Sequence, residues 1–156
     1  MQETTAATRT NHNGVHTAEP VIVERTFDVP ISKVWDAITQ NDKLTCWYFE
    51  LPEFRAEIGF EFHFSVVNGG KTYTHLCKVT SVILGKKISY TWRYENYPGS
   101  SEVTFELFPE NNGTRLRLTH AGIESFPDTK DFFRSNFEEG WKHIIGVSLR
   151  DFLQSH

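Results

Sequence analysis

Three segments of the chain alternate so that every second residue is large and apolar: Phe60, Phe62, Phe64 and Val66; then Ile88, Tyr90, Trp92 and Tyr94; then Val103, Phe105 and Leu107. Glu61, His63 and Ser65, then Lys87, Ser89, Thr91 and Arg93, then Glu102, Thr104 and Glu106 fall on the other parity. A period of two predicts strands buried on one face only. After the last strand the period changes. Phe137, Trp141, Ile144, Ile145, Leu149 and Phe152 make a single apolar stripe at helical spacing. A ring-lined sheet face and one long amphipathic helix predict a trough with a roof, and hence a pocket.

The remaining elements follow from local signals. VIVERTF, residues 21–27, reads as a first strand, and Pro30 suits the first turn of a helix with the stripe Ile31, Val34, Trp35 and Ile38. A second short helix is expected to open at Asn41 or Asp42 and to carry Leu44 and Trp47 inward. An aromatic-rich connection around Pro52 leads into strands near 54–57, 59–67, 72–84, 87–95, 101–108 and 114–121. Asn68-Gly69-Gly70, Leu84-Gly85-Lys86, Tyr97-Pro98-Gly99 and Asn111-Asn112-Gly113 supply the reversals, so neighbouring strands run antiparallel. The closing helix is expected from Asp128 or Phe132 to Gln154; its last 20 or so positions span about 30 Å, enough to cross a small sheet. The expected fold class is α+β: a curved antiparallel sheet of six or seven strands wrapped around a long C-terminal helix, with two short helices after strand 1.

Composition narrows the function classes. With 156 residues, the chain is expected to hold one domain over 21–156 behind a flexible tail over 1–20, whose Thr, Asn, Gln, His and Glu offer little apolar surface. Lys and Arg total 16 against 20 for Asp and Glu, net −4, without a basic patch, so nucleic acid is not an expected partner. No apolar run approaches the roughly 18 residues of a membrane helix, so no membrane insertion is expected. No leader pattern is seen, and two cysteines, Cys46 and Cys77, fall in separate elements, which predicts a reducing, cytoplasmic setting.

Four separated strings carry a resemblance. Residues 24–39 (ERTFDVPISKVWDAIT), Ile88-Ser89-Tyr90-Thr91-Trp92, residues 113–122 (GTRLRLTHAG) and Gly140-Trp141 resemble the START-like, helix-grip superfamily. Within it, the chain is similar to the family typified by the C-terminal domain of the activator of Hsp90 ATPase, over residues 21–154. The resemblance implies a cavity between a bent antiparallel sheet and the C-terminal helix. It implies a lipid, sterol, polyketide or flavonoid as ligand, and, as an alternative, an Hsp90-type chaperone as protein partner. A third implied reading is a cyclase-like or hydrolase-like enzyme.

The residues expected to line the cavity are Phe62, Phe64, His75, Tyr90, Trp92, Tyr94, Phe105, His120, Trp141 and Ile145. Tyrosines and histidines on an apolar face need hydrogen-bond partners, which a hydrated or ligand-filled cavity provides. His75 and Cys77 share the inward parity of their strand with Tyr73 and Val79. A metal site needs three or four ligands; His63 falls on the outward parity, so neither a metal nor another cofactor is expected. No inward pair of carboxylates and no Ser-His-Asp arrangement can be placed, and Asn68-Gly69-Gly70 joins two strands instead of opening a helix, so binding is expected over catalysis. Arg25 breaks the inward parity of the first strand, for which an edge bulge or an ion pair with Glu24 or Glu57 is the expected reason. Gly140 costs about 1 kcal/mol relative to Ala in a helix, which predicts a close backbone approach beside Trp141. Residues 122–131 and 47–54 are the expected gates.

Overall fold

The computed structural model describes residues 19–155. Of the tail expected over 1–20, residues 1–18 lie outside the described residues. Strand β1 (Val21–Phe27) is followed by helices α1 (Ile31–Thr39) and α2 (Asn41–Trp47), then strands β2 (Glu61–Asn68), β3 (Lys71–Ile83), β4 (Lys87–Tyr94), β5 (Ser101–Glu110) and β6 (Gly113–Ala121). Two short 3₁₀ turns, Ile123–Ser125 and Lys130–Phe132, lead into a terminal helix that begins as α3 (Arg134–His143) and ends as α4 (Arg150–Ser155). The six strands form one antiparallel sheet in the order β1-β6-β5-β4-β3-β2. The fold class is the α+β architecture that the alternation predicts.

Reversal chemistry sets the register. Asn111 and Asn112 have φ of 50° and 70°, and Gly69 and Gly70 have 61° and 81°. Two successive positive φ values make the turn whose twist matches that of the strands it joins, which pairs Glu110 with Gly113 and Asn68 with Lys71. Each strand then sends its predicted parity inward: Phe62 and Phe64, Tyr73, His75, Cys77 and Val79, Tyr90, Trp92 and Tyr94, Val103, Phe105 and Leu107 are all buried, whereas His63 is exposed. Ser89, expected on the solvent face, is instead buried in the middle of the sheet, its hydroxyl 2.9 Å from that of Thr104. A register shift between Val79 and Ser81 bends β3. Arg134 on the terminal helix donates to the carbonyls of Glu19 (2.6 Å) and Pro20 (2.9 Å), tying the start of β1 to the roof.

Several local expectations are corrected. Residues 54–57 do not form a strand: Phe54 is anchored by its ring, 5.1 Å from Phe62 and 6.1 Å from Phe60, and backbone pairing with β3 begins only at Gly59, which donates to Val79. Helix α2 is preceded by Gln40 at the cap position without a side-chain hydrogen bond, and Asn41 is already helical. The terminal helix proper starts at Arg134, because the segment from 126 to 133 buries Phe126 and Phe132 through extended backbone and a 3₁₀ turn instead of a helical face. Arg25 pairs with neither predicted acid. It donates to the Glu24 carbonyl at 2.7 Å, while the Glu24 carboxylate binds Arg117 (2.5 Å) and Arg115 (3.3 Å). β1 carries no bulge; its register to β6 is continuous from Val21 to Phe27.

The middle of the terminal helix, Ile144–Leu149, is a π-helix. Its buried stripe is Phe137, Trp141, Ile145 and Leu149, spaced by four throughout. In a regular α-helix, each four-residue step overshoots a full turn by about 40°, so such a stripe drifts off the sheet. The wider turn that closes from i to i+5 cancels part of that drift and keeps Trp141, Ile145 and Leu149 over the rings. Gly146 lies in this segment, and a Cβ there would sit 3.1 Å from Arg25 Nε. The close approach expected at Gly140 therefore occurs one and a half turns later, at Gly146, where the Arg25 side chain crosses the helix.

Gly140 itself lies in α3 with open space around it: a Cβ would meet nothing within 4 Å. Gly140→Ala is expected to stabilise the protein by about 1 kcal/mol, through helix propensity alone. This raises the thermal midpoint by about 2–4 °C. A melting curve followed by circular dichroism checks it, and an unchanged or lower midpoint would contradict the open environment.

Candidate functional site

All ten residues expected to line the trough are buried, and nine of them form one continuous set of rings between sheet and terminal helix. The His75 ring stacks on Phe64 (centroids 4.4 Å apart, planes at 14°) and meets Trp92 and Tyr94 edge-on at 4.9 and 4.7 Å. Trp92 reaches His120 and Trp141 at 5.4 Å each. Phe105 contacts Trp141 at 6.2 Å and Tyr90 at 6.1 Å, and Tyr90 contacts Phe62 at 5.0 Å. Ile145, fully buried, completes the roof.

Two residues that sequence reasoning left out of the lining sit in the middle of the trough. Tyr48 and Phe49, from the connection after α2, insert between sheet and helix. Phe49 stacks on Phe64 at 4.3 Å, and Tyr48 lies 6.3 Å from Trp141 and 6.2 Å from Phe105. Their signal was visible as an unbroken Trp47-Tyr48-Phe49 run, too apolar for a connection that stays in water. At the other end, Phe132 from the segment before α3 packs on Tyr94 at 5.0 Å and Tyr73 at 5.9 Å. Tyr73 donates to the Asp131 carboxylate, which also lies 3.9 Å from Lys71.

Hydrogen bonds give the buried polar groups their protonation states. The Trp141 indole N–H, which can only donate, is 3.0 Å from His120 Nδ1, so that nitrogen accepts. His120 Nε2 then carries the proton and donates to Ser101 Oγ at 2.7 Å, which in turn donates to the Trp92 carbonyl at 2.9 Å. Both nitrogens of a neutral His120 are thereby committed to structure. Burial, and secondarily His75, push its pKa down to about 3. His75 Nδ1 donates to the Tyr73 carbonyl at 3.2 Å, and burial pushes its pKa down to about 4. The Tyr48 and Tyr90 hydroxyls pair at 2.7 Å, and Trp92 Nε1 donates to the Tyr94 hydroxyl oxygen at 3.0 Å. Burial raises all three phenols and the Cys77 thiol far above their usual ranges, so none ionises near neutrality.

A cleft of about 110 Å³ opens at the mouth of the trough. Its walls are Val66, Asn68, Tyr73, His75 and Tyr94, with Asp131 and Phe132 from the loop. A larger recess, about 470 Å³, opens across β2, β3 and β4, mostly among the outward residues Glu61, His63, Leu76, Lys78, Thr91 and Arg93, and also touches Phe62 and Cys77. It forms where the Lys78 amide bonds Thr91 Oγ1 instead of a strand carbonyl. The smaller cleft is the better candidate site, because its walls include buried polar groups, whereas the polar side chains of the outer recess are mostly solvated. Among the described residues, no group of three or more His, Cys, Asp or Glu is arranged to hold a metal ion, and no helix is long and apolar enough to cross a membrane.

A bent antiparallel sheet gripping one C-terminal helix, with a ring-lined trough between them, defines a helix-grip protein of the START-like class. Residues 28–154 match the family described as activator of Hsp90 ATPase homolog 1-like protein, and the chain belongs to that family. Among solved structures it is similar to protein MLL2253 from Mesorhizobium loti, at 28% identity over 88% of this chain and 98% of that one, with a TM-score of 0.73. Protein CV1439 from Chromobacterium violaceum is similar at 19% identity over 88% and 98% of the two chains, with a TM-score of 0.75. DynU16, a protein in the dynemicin biosynthetic locus, is similar at 17% identity over 87% of this chain and 47% of its own, with a TM-score of 0.71. No curated protein matches the chain.

The two depressed histidines carry a pH signature. Each has an ordinary pKa of about 6.5 in the unfolded chain and a lower one when folded, so the unfolded state binds more protons below about pH 6.5. Stability is therefore complete above that pH and falls as the solution is acidified towards the folded values. Urea unfolding at pH 5 is expected to show about 2 kcal/mol less stability per histidine than at pH 8. His75→Phe is expected to remove about half of the difference; equal stability at the two pH values would contradict neutral burial.

Proposed function

We propose that the protein binds a small, largely apolar molecule, aromatic or lipid-like, in the trough between the sheet and the terminal helix. The lining would be the ten sequence-predicted residues together with Tyr48, Phe49, Tyr73 and Phe132. The observation that carries this reading is the source of the side chains that fill the trough. They come in part from a connection, Tyr48 and Phe49, and not only from the strands and helix that build its walls. A connection is held by fewer backbone hydrogen bonds than a strand and opens at lower cost.

Volume makes the opening necessary. Sites for drug-sized molecules enclose about 300–1,000 Å³, and the cleft offers about 110 Å³. Withdrawal of Phe49 from Phe64, and of Tyr48 from Tyr90, extends the cleft inward along Trp92 to Trp141. The family membership supports a cavity-type function, and the place of DynU16 in a biosynthetic locus is in keeping with a small-molecule ligand. Both cysteines are free, in keeping with a cytoplasmic setting.

Titration with a panel of flavonoids, fatty acids and sterols, followed by tryptophan fluorescence, tests the reading, since Trp92 and Trp141 lie in the trough. Saturable quenching is expected from at least one class. Phe49→Ala, which removes the inserted ring, is expected to bind that class about tenfold more tightly while losing about 2 kcal/mol of stability. Absence of saturable quenching in both proteins would remove the proposal.

A further inference from the structure

The hydrogen bonds of the trough leave tyrosine O–H groups in need of an acceptor, and one of them, that of Tyr94, faces the cleft. The Trp92 indole can only donate, so the Tyr94 oxygen 3.0 Å away is an acceptor, and the Tyr94 O–H proton has no acceptor among the described residues. Tyr94 forms a wall of the cleft. Deeper in, Tyr48 and Tyr90 bring two O–H groups to a single 2.7 Å contact, which uses one proton and leaves the other without an acceptor among the described residues. The acceptor nitrogen of His120 is already taken by Trp141; in neutral His75, Nδ1 acts as a donor, which leaves Nε2 as an acceptor. The cleft also holds two acceptors, Nε2 of the neutral His75 ring and the Asp131 carboxylate, and among the described residues neither is hydrogen-bonded to the Tyr94 hydroxyl. A buried donor without a partner costs more than the bond it would make.

Charge narrows the class further. No Lys or Arg belongs to the buried lining, and the titratable groups facing the cleft are His75, held neutral by burial, the two phenols of Tyr73 and Tyr94, which stay protonated, and the Asp131 carboxylate at the mouth. Lys71, an exposed cation outside the lining, sits 3.9 Å from Asp131. An anionic ligand would lose its hydration, meet a carboxylate and find no cation inside.

We infer that the ligand is a neutral ring compound bearing a carbonyl or ether oxygen, and that the Tyr94 hydroxyl donates to that oxygen. The inference rests on the trough reading above and adds the polarity, the charge and the recognising atom.

Isothermal titration of the full chain with 1-tetralone, with tetralin (the same skeleton without oxygen) and with tetralin-1-carboxylate separates the possibilities. The ketone is expected to bind about tenfold more tightly than either analogue, the value of one net hydrogen bond. In Tyr94→Phe the ketone is expected to lose its preference over tetralin, the two being compared within the same variant. A second readout needs no variant: the ¹³C resonance of a labelled tetralone carbonyl is expected to move downfield on binding to the natural protein. Equal binding of ketone and tetralin, an unmoved carbonyl resonance, tighter binding of the carboxylate, or a preference that survives in folded Tyr94→Phe would each overturn the inference while leaving the trough reading standing. Binding of none of the three removes the trough reading for this ligand size, and the inference with it.

Discussion

The architecture depends on finding partners for polar atoms inside an aromatic enclosure. An indole that can only donate stands at one end of the chain from Trp141 through His120 and Ser101, and a carbonyl that can only accept, that of Trp92, stands at the other. With both ends fixed, every proton between them has one direction, and the imidazole has one tautomer and one charge state. Three hydrogen bonds thereby connect the terminal helix to β6, β5 and β4. The roof is positioned by directional contacts as well as by apolar burial, which has no direction of its own.

The same accounting separates the two histidines and two roles for the tyrosines. His120 is consumed by structure on both nitrogens, which leaves it no part in proton transfer to a ligand. Tyr73 is held by Asp131 at the mouth, and Tyr48 and Tyr90 hold one another in the depth. At the cleft Tyr73 donates, whereas Tyr94 accepts there with no acceptor for its own proton among the described residues. Differences that look minor in a list of residues, four phenols on neighbouring elements, become distinct chemical functions once donor and acceptor are assigned.

The terminal helix illustrates how packing overrides local preference. A four-residue repeat suits neither the α-helix nor a supercoiled heptad, and the sheet demands that Trp141, Ile145 and Leu149 all point down. The π-helical turn across Ile144–Leu149 resolves the conflict at the cost of poorer backbone geometry, and Gly146 leaves room for Arg25 to cross beside it. This also explains why a basic residue occupies an inward-parity position of β1: the site lies at the sheet edge, where its side chain remains exposed.

By itself, the sequence determined the faces. Alternation in β2 to β5 identified the inward side chains, down to His75 inward and His63 outward, because side-chain direction in a strand follows from position alone. It also determined the antiparallel order, because Gly and Asn at the reversals admit the backbone conformations that short turns require. Position-by-position patterns carried no information about which hydroxyl meets which, because those pairs join residues as distant as Tyr48 and Tyr90 or His120 and Trp141. Only the tertiary structure decided that Tyr48 and Phe49 fill the trough, that the helix glycine beneath a close contact is Gly146 and not Gly140, and that the Tyr94 oxygen accepts from the Trp92 indole. Each depends on sheet curvature and helix placement, which are set by the summed packing of the whole core.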